Sequence, residues 1–281
     1  MWFLFAVSSA IIFASQELLM RILSIKTGNP RIFSLVFNLW GAAFAIALFI
    51  LQGGSFSALT ALSLPQYLLI GAAVLAYGLY ERFQFFARRG LDAGTFTIIM
   101  RLQTVIGFVG AIFFLQESLT ISKIAGLALI IIASLLLVYR NPKIALSASL
   151  GYALLCALAL GSTGFIDKPA SAPLPPSLYS FITWTLSLVI IGFPGVSKKE
   201  MVKEFRIGGW KVVIAALLNV IGFIFYLLAV AGAEASRVNP ITATSSILTV
   251  LGGIILLRER DHLWRKLIAG IIAFAGVYLL K

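Results

Sequence analysis

Ten runs of about twenty predominantly apolar residues, separated by short breaks, constrain this chain more than any motif in it, because a helix of about that length spans the hydrocarbon of a bilayer. The runs are expected at Trp2 to Leu23, Ile32 to Leu51, Gln66 to Ala87, Ala93 to Phe114 and Ile121 to Tyr139 in the first half. In the second half they are expected at Ser149 to Lys168, Pro176 to Phe193, Trp210 to Ala231, Val238 to Leu257 and Leu263 to Leu280. The breaks carry turn chemistry: Gly28, Asn29 and Pro30; Gly53 and Gly54; Asn141 and Pro142; the cluster from Pro173 to Pro176; Pro194 and Gly195. Only 11% of the 281 residues are charged and 60% are hydrophobic, whereas a soluble domain carries about 25% charged residues. A soluble fold is excluded, and ten crossings leave about 80 residues for loops and ends, too few for a soluble catalytic domain. The first run lacks a basic leading region and stays apolar beyond Ala14 and Ser15, so it reads as a membrane helix rather than a cleaved signal. The expected fold class is an all-α integral membrane protein of ten transmembrane helices.

The formal charge of +12 would suit nucleic acid only on a solvated basic surface, and here the cations sit in loops between apolar runs. Arg82 and Arg101 fall inside helices, and Lys123, Lys168, Arg237 and Lys281 lie at one side. The other sixteen Lys and Arg, among them Arg88, Arg89, Lys143, Lys198, Lys199 and Arg206, flank the odd-numbered loops. Basic short loops stay on the cytoplasmic side, which predicts cytoplasmic odd loops and both termini outside, in the cell membrane. Cys156, alone in an apolar stretch, reads as packing.

The two halves resemble each other. Ala93 to Glu117, ending Phe-Phe-Leu-Gln-Glu, aligns with Ala235 to Glu259, ending Ile-Leu-Leu-Arg-Glu, and each is followed by a helix with a glycine, Gly126 or Gly270. Phe5-Ala6 up to Ser15 and Arg21 aligns with Tyr152-Ala153 up to Ser162 and Lys168. A repeat of five helices, being odd, inserts its second copy upside down. The expectation is two inverted repeats, residues 1–140 and 141–281, about a pseudo-twofold axis with a cavity at their interface.

The run Ala-Leu-Gly161-Ser162-Thr163-Gly-Phe165 before Lys168, and the Glu117 and Glu259 endings with Gly126 and Gly270 downstream, resemble the drug/metabolite transporter superfamily in its ten-helix EamA-like form. The resemblance implies a secondary transporter or exporter of small metabolites, its site in a central cavity lined chiefly by helices one, three, four, six, eight and nine. Phe13 and Ala14 stand where the family often has tryptophan and glycine, and Thr104 and Ser246 where it often has proline. Family members commonly have cytoplasmic termini, opposite to the orientation the loop charges predict here.

An ionisable residue within a membrane helix is costly and is a functional candidate by default. Glu17 and Glu81 are expected about 10 Å from the cytoplasmic edge and Arg101 about 13 Å, so all three can occupy one layer. Two mechanisms follow. Arg101 could present its planar fork to a substrate carboxylate or phosphate while Glu17 or Glu81 carries a proton, or Arg101 could neutralise a glutamate and close a gate. A static ion pair is the third possibility. Tyr77, Tyr80, Glu81 and Gln84 recur at helical spacing and form a stripe that could line a cavity. Gln103, Ser162, Asn219, Tyr226, Asn239 and Thr242 complete the candidate site, with Asn239 and Pro240 expected to break their helix and free carbonyls for a ligand. Arg82 is expected to snorkel to the interface. Asp167 and Lys168 read equally as an external gate or an interfacial anchor. Glu117 and Glu259 read as helix caps or loop-pairing residues, and His262 as an exposed loop residue.

No aspartate cluster, metal-ligand spacing, phosphate-cradling glycine loop or Ser-His-Asp set is present in the sequence, so no enzyme and no cofactor is expected. The function expected is transport of an amino acid or organic acid by alternating access, coupled to protons or to exchange. The alternatives are a multidrug or cation exporter, a lipid flippase and a channel. The partners expected are the small-molecule substrate, the lipid bilayer and protons, with no nucleic acid, in a monomer or weak homodimer.

Overall fold

In the computed structural model, residues 1–24, 28–91, 93–138, 147–256 and 263–281 are described. Glu259 and His262 lie outside these residues, as do Asn141, Pro142 and Lys143. Among the described residues the chain is helical and contains no strand. The elements are α1 (Trp2–Ser24), α2 (Pro30–Leu51), α3 (Ser57–Thr60), α4 (Leu64–Gly90), α5 (Ala93–Phe114), α6 (Ile121–Val138), α7 (Ala148–Ser171), α8 (Pro176–Gly192), α9 (Lys198–Gly232), α10 (Ala235–Ala243), α11 (Ser245–Leu256) and α12 (Leu263–Leu280).

These twelve elements depart from the expected ten in three places. The loop before α4 holds a single helical turn, α3. The basic segment ahead of the eighth run is itself helical, so α9 starts at Lys198, but a kink at Gly209, whose φ of 55° is open to glycine, separates it from the apolar run, which starts at Trp210 as expected. The ninth run is divided into α10 and α11, and the division falls at Thr244 rather than at Asn239 and Pro240. Pro240 sits within α10, so the expected break is displaced by about one turn.

The helix starts follow local chemistry. Asn29 caps α2 through the Ile32 amide, with Pro30 in the first turn. Ser63 and Gln66 form a capping box on α4, and Ser147 accepts from the Leu150 amide on α7. Arg82 reaches the C-terminal end of α8. Its Nη1 donates to the Ile190 and Phe193 carbonyls at 2.6 and 2.7 Å, and Arg31 donates to Ile191 and Gly192, so two guanidinium groups cap the end of α8.

Packing is inverted relative to a soluble protein. Leu4, Phe113, Phe114, Val189, Ile271 and Phe274 are all more than two-thirds exposed, while Ser9, Ser34, Asn38, Thr163, Asp167 and Ser180 are buried. Such a surface is satisfied only where lipid is the solvent. Among the described residues four helices are long and apolar enough to cross a membrane, α1, α2, α7 and α9, and shorter apolar helices accompany them. The chain is a multi-pass membrane protein.

The strongest pairings join one half of the chain to the other: α1 along α9, α4 along α7, α5 along α7, α2 against α8 and α6 against α12. Both termini lie at one end, where Lys281 stands over Phe3 and its carbonyl accepts from Arg237. This is called the termini end below. A large core of Phe49, Tyr179, Phe223, Tyr226, Val238 and neighbours occupies it, and a smaller one around Phe33, Phe37, Phe85 and Val212 occupies the opposite end.

Candidate functional site

Polar side chains within the bundle gather in three groups. The first surrounds Glu81 on α4. Its Oε2 accepts from Gln84 at 2.7 Å, from Asn38 at 3.0 Å and from Ser34 at 3.1 Å, and the Ser34 hydroxyl also reaches the Glu81 carbonyl at 2.8 Å. Ser34 and Asn38 are one helical turn apart on α2, so both meet α4 on the same face. Glu81 and Gln84 belong together as the stripe predicted. Tyr80 turns instead towards the core of Phe96, Met100 and Cys156.

The second group surrounds Arg101 on α5. The residue is 9% exposed, its Nη1 lies 3.3 Å from the Ala243 carbonyl and 3.5 Å from Ser134 Oγ, and its Nε has no partner. Ala243 is the last residue of α10, so the carbonyl freed at the α10–α11 division is taken by Arg101. No ion pair joins Arg101 to Glu17 or Glu81. Glu17 accepts instead from Thr249 of α11 at 2.9 Å. Glu17, Glu81 and Arg101 thus each take polar partners on α2, α6, α10 and α11 rather than an ion pair with one another. The side-chain oxygen Oε1 of Gln103 is buried without a hydrogen-bond partner.

The third group centres on Asp167 of α7, which is fully buried. Tyr77 of α4 donates to one carboxylate oxygen at 2.5 Å and Tyr179 of α8 to the other at 2.7 Å. Phe223 stacks between Tyr179 and Tyr226 and meets Tyr77 edge-on. The Tyr226 hydroxyl donates to Asn239 Oδ1 at 3.1 Å, and Asn239 Nδ2 donates to the Gly164 carbonyl at 2.7 Å. That approach needs Gly107 and Gly164, since a methyl on Gly164 would stand 3.0 Å from Asn239 Nδ2 and 3.1 Å from Gly107 Cα. Tyr77, Tyr226 and Asn239 are therefore brought into one network. Asp167 is fully buried, and its neighbour Lys168 carries the ion pair at the termini end. Ser162 and Thr242 bond to carbonyls of their own helices, and Asn219 is half-buried on α9 and joins none of the three groups.

Above Asp167, at the termini end, a set of ion pairs closes the bundle. Lys168 Nζ is 3.0 Å from Glu117 Oε1, and the same carboxylate accepts from the Ala235 and Ser236 amides at 2.7 and 2.8 Å, capping α10. Lys123, 1% exposed, pairs with Glu234 at 2.9 Å, and Arg237 reaches Glu234 at 3.0 Å. Burial opposes ionisation of Glu234, but the donors Lys123, Ser118 and Arg237 prevail and hold it at about 2. Burial likewise pushes Glu117 up, and the Ser236, Lys168 and Ala235 donors outweigh it, leaving it below its ordinary value.

Ser34, Asn38, Tyr179 and Phe223 were absent from the expected site. The spacing of Ser34 and Asn38 would have flagged a polar face on α2, whereas Tyr179 gave no signal, lying beside a proline-rich loop.

The fold and its buried polar groups define a helical multi-pass membrane protein. Residues 148–281 match the EamA-like transporter family, the family within the drug/metabolite transporter superfamily that the chain's own motifs resemble. No match was found among curated proteins. A solved crystal structure superposes with a TM-score of 0.75 over 99% of this chain and 95% of that one at 16% identity, a likeness of fold.

Proposed function

We propose that the protein is a secondary transporter that moves a small metabolite of the amino acid or organic acid type across the cell membrane by alternating access, coupled to protons or to exchange. The observation that carries the reading is Arg101: a guanidinium with five donors, shut inside the bundle with two long contacts and an idle Nε. A cation so placed is costly, and a ligand carboxylate or phosphate would complete its donor set bidentately. The residues expected at the site are those around it and the two carboxylate groups, Glu17, Tyr77, Glu81, Gln84, Tyr226 and Asn239 among them.

The pairing of helices supports two inverted five-helix repeats, residues 1–140 and 141–281. If α1 corresponds to α7 and α4 to α9, the α1–α9 contact maps onto the α4–α7 contact, while α2–α8 and α6–α12 map onto themselves. In the orientation we favour, the odd-numbered loops are cytoplasmic and the termini end is external, in a monomer or weak homodimer.

The test is a thermal-shift screen of the purified protein with amino acids, organic acids and cationic drugs, followed by uptake into proteoliposomes, because a ligand of the native state raises its stability. Stabilisation by an anionic metabolite that is lost in Arg101→Ala supports the reading, and wild-type uptake by that variant sinks it. A cation exporter is the second reading, favoured by the buried carboxylates of Glu81 and Asp167, and stabilisation confined to cations would establish it.

A further inference from the structure

We propose that Asp167 is a proton-binding site whose protonation holds the termini end of the transporter shut. The proposal rests on the alternating-access reading above, and it assigns the proton to a different carboxylate from Glu17 and Glu81.

The argument starts from three consecutive residues in the last turns of α7. Asp167 points inward and ties α7 to α4 and α8 through Tyr77 and Tyr179. Lys168 points away from it and ties α7 to Glu117, which caps α10. Pro169 follows within the helix and has no amide hydrogen for the Phe165 carbonyl, so this turn lacks one of the bonds that would stiffen it. Any displacement of Asp167 therefore reaches the Glu117–Lys168 pair through a single short, weakened turn.

Among the described residues no cation pairs with Asp167. From the elements packed against α7, the titratable groups facing it are Tyr77 of α4, Tyr179 of α8 and Tyr226 of α9. On its own helix Lys168 is engaged by Glu117. Arg101 of α5 is engaged with Ser134 and Ala243, Arg237 of α10 with Glu234, and Glu81 of α4 with α2. A carboxylate enclosed among aromatic rings with only neutral donors is expensive, and the neutral acid in the same place is not. Opening the termini end admits water, which solvates the carboxylate.

By linkage the closed state therefore binds the proton more tightly than the open one. Closure takes a proton from water onto a carboxylate oxygen of Asp167, with one tyrosine hydroxyl turning from donor to acceptor. Opening returns the proton to water, and no other bond is made or broken.

The test reads opening directly and needs no substrate. In a Cys156→Ser background, Ser236→Cys places a near-isosteric thiol in a fully buried position behind Glu117. Its rate of reaction with a membrane-impermeant maleimide is measured from acid to alkaline pH in nanodiscs. Each rate is divided by that of an exposed control, Ser57→Cys, to remove the thiol's own titration. We expect the ratio to rise several-fold with pH, and to stay low and flat when Asp167→Asn is added, since the amide mimics the neutral acid. Asp167→Glu, which retains a displaced carboxyl, keeps the dependence with a shifted midpoint, and it carries the test if the asparagine variant does not fold. A pH-independent ratio in the parent overturns the proposal. So does a rise that survives Asp167→Asn, or a midpoint unmoved in Asp167→Glu. None of these bears on the transporter reading, which stands or falls on the Arg101 uptake experiment.

Discussion

Gly126 of α6 and Gly276 of α12 meet backbone to backbone: a methyl on either would stand 2.9 Å from the carbonyl oxygen of the other. Small residues let membrane helices approach closely where no hydrophobic force drives them together. A side chain here must push the helices apart. Gly126→Val and Gly276→Val are each expected to cost about 1–3 kcal/mol by overpacking, and the double variant less than the sum, because the first already separates the pair. Thermal unfolding in detergent measures both, and wild-type stability in the single variants would show that the crossing yields.

This contact also shows what was legible in the sequence. The glycines at positions 126 and 270 were aligned as repeat equivalents from their place after Glu117 and Glu259, yet Gly126 packs on Gly276, while Gly270 lies under Leu251. A repeat alignment matches residues related by symmetry, and contacts across the axis are a different relation. Hydropathy placed the helices within a few residues because lipid imposes their length. It could not see that Lys198–Gly208 is helical, since periodicity in a basic stretch resembles a loop. Asn239 and Pro240 mark a break by composition, but the helix continues through them and divides at Thr244, where Arg101 takes the Ala243 carbonyl. The three ionisable residues were placed in one possible layer by their depth along the helices; each takes a hydrogen-bond partner on a neighbouring helix that no spacing within its own segment could reveal.

Glu81 provides a stability test within the membrane. Glu81→Ala leaves the Asn38 and Gln84 amides without their acceptor, a loss of about 1–3 kcal/mol. Glu81→Gln retains an acceptor oxygen and loses less. Unfolding of the two variants in detergent should rank them in that order. An alanine variant as stable as the parent would mean that water or lipid headgroups replace the carboxylate.

The ion pairs at the termini end have their own pH signature. Glu234 is held at about 2, below its ordinary 4.5. A carboxyl lowered by folding contributes stability above its unfolded value and loses it as pH falls through the folded one. The Glu234 contribution is therefore complete at neutral pH and disappears between about 4.5 and about 2. Melting temperatures of the parent and Glu234→Gln should converge as pH falls through that window, and a gap that widens in acid would show the sign to be wrong. Because Glu234 is partly exposed, salt should narrow the gap at neutral pH as well.

The orientation can be decided at Ser197, the exposed cap ahead of the basic helix Lys198–Gly208. Lys198, Lys199, Lys203 and Arg206 cluster there, and basic segments of short loops are retained in the cytoplasm. Ser57, at the start of α3, belongs to an even-numbered loop on the other face. In a Cys156→Ser background, an impermeant thiol reagent added to intact cells should modify Ser57→Cys and leave Ser197→Cys untouched until the membrane is permeabilised. The reverse pattern would turn the protein over, place the Glu117–Lys168 pair at the cytoplasmic face, and reverse the side to which Asp167 releases its proton.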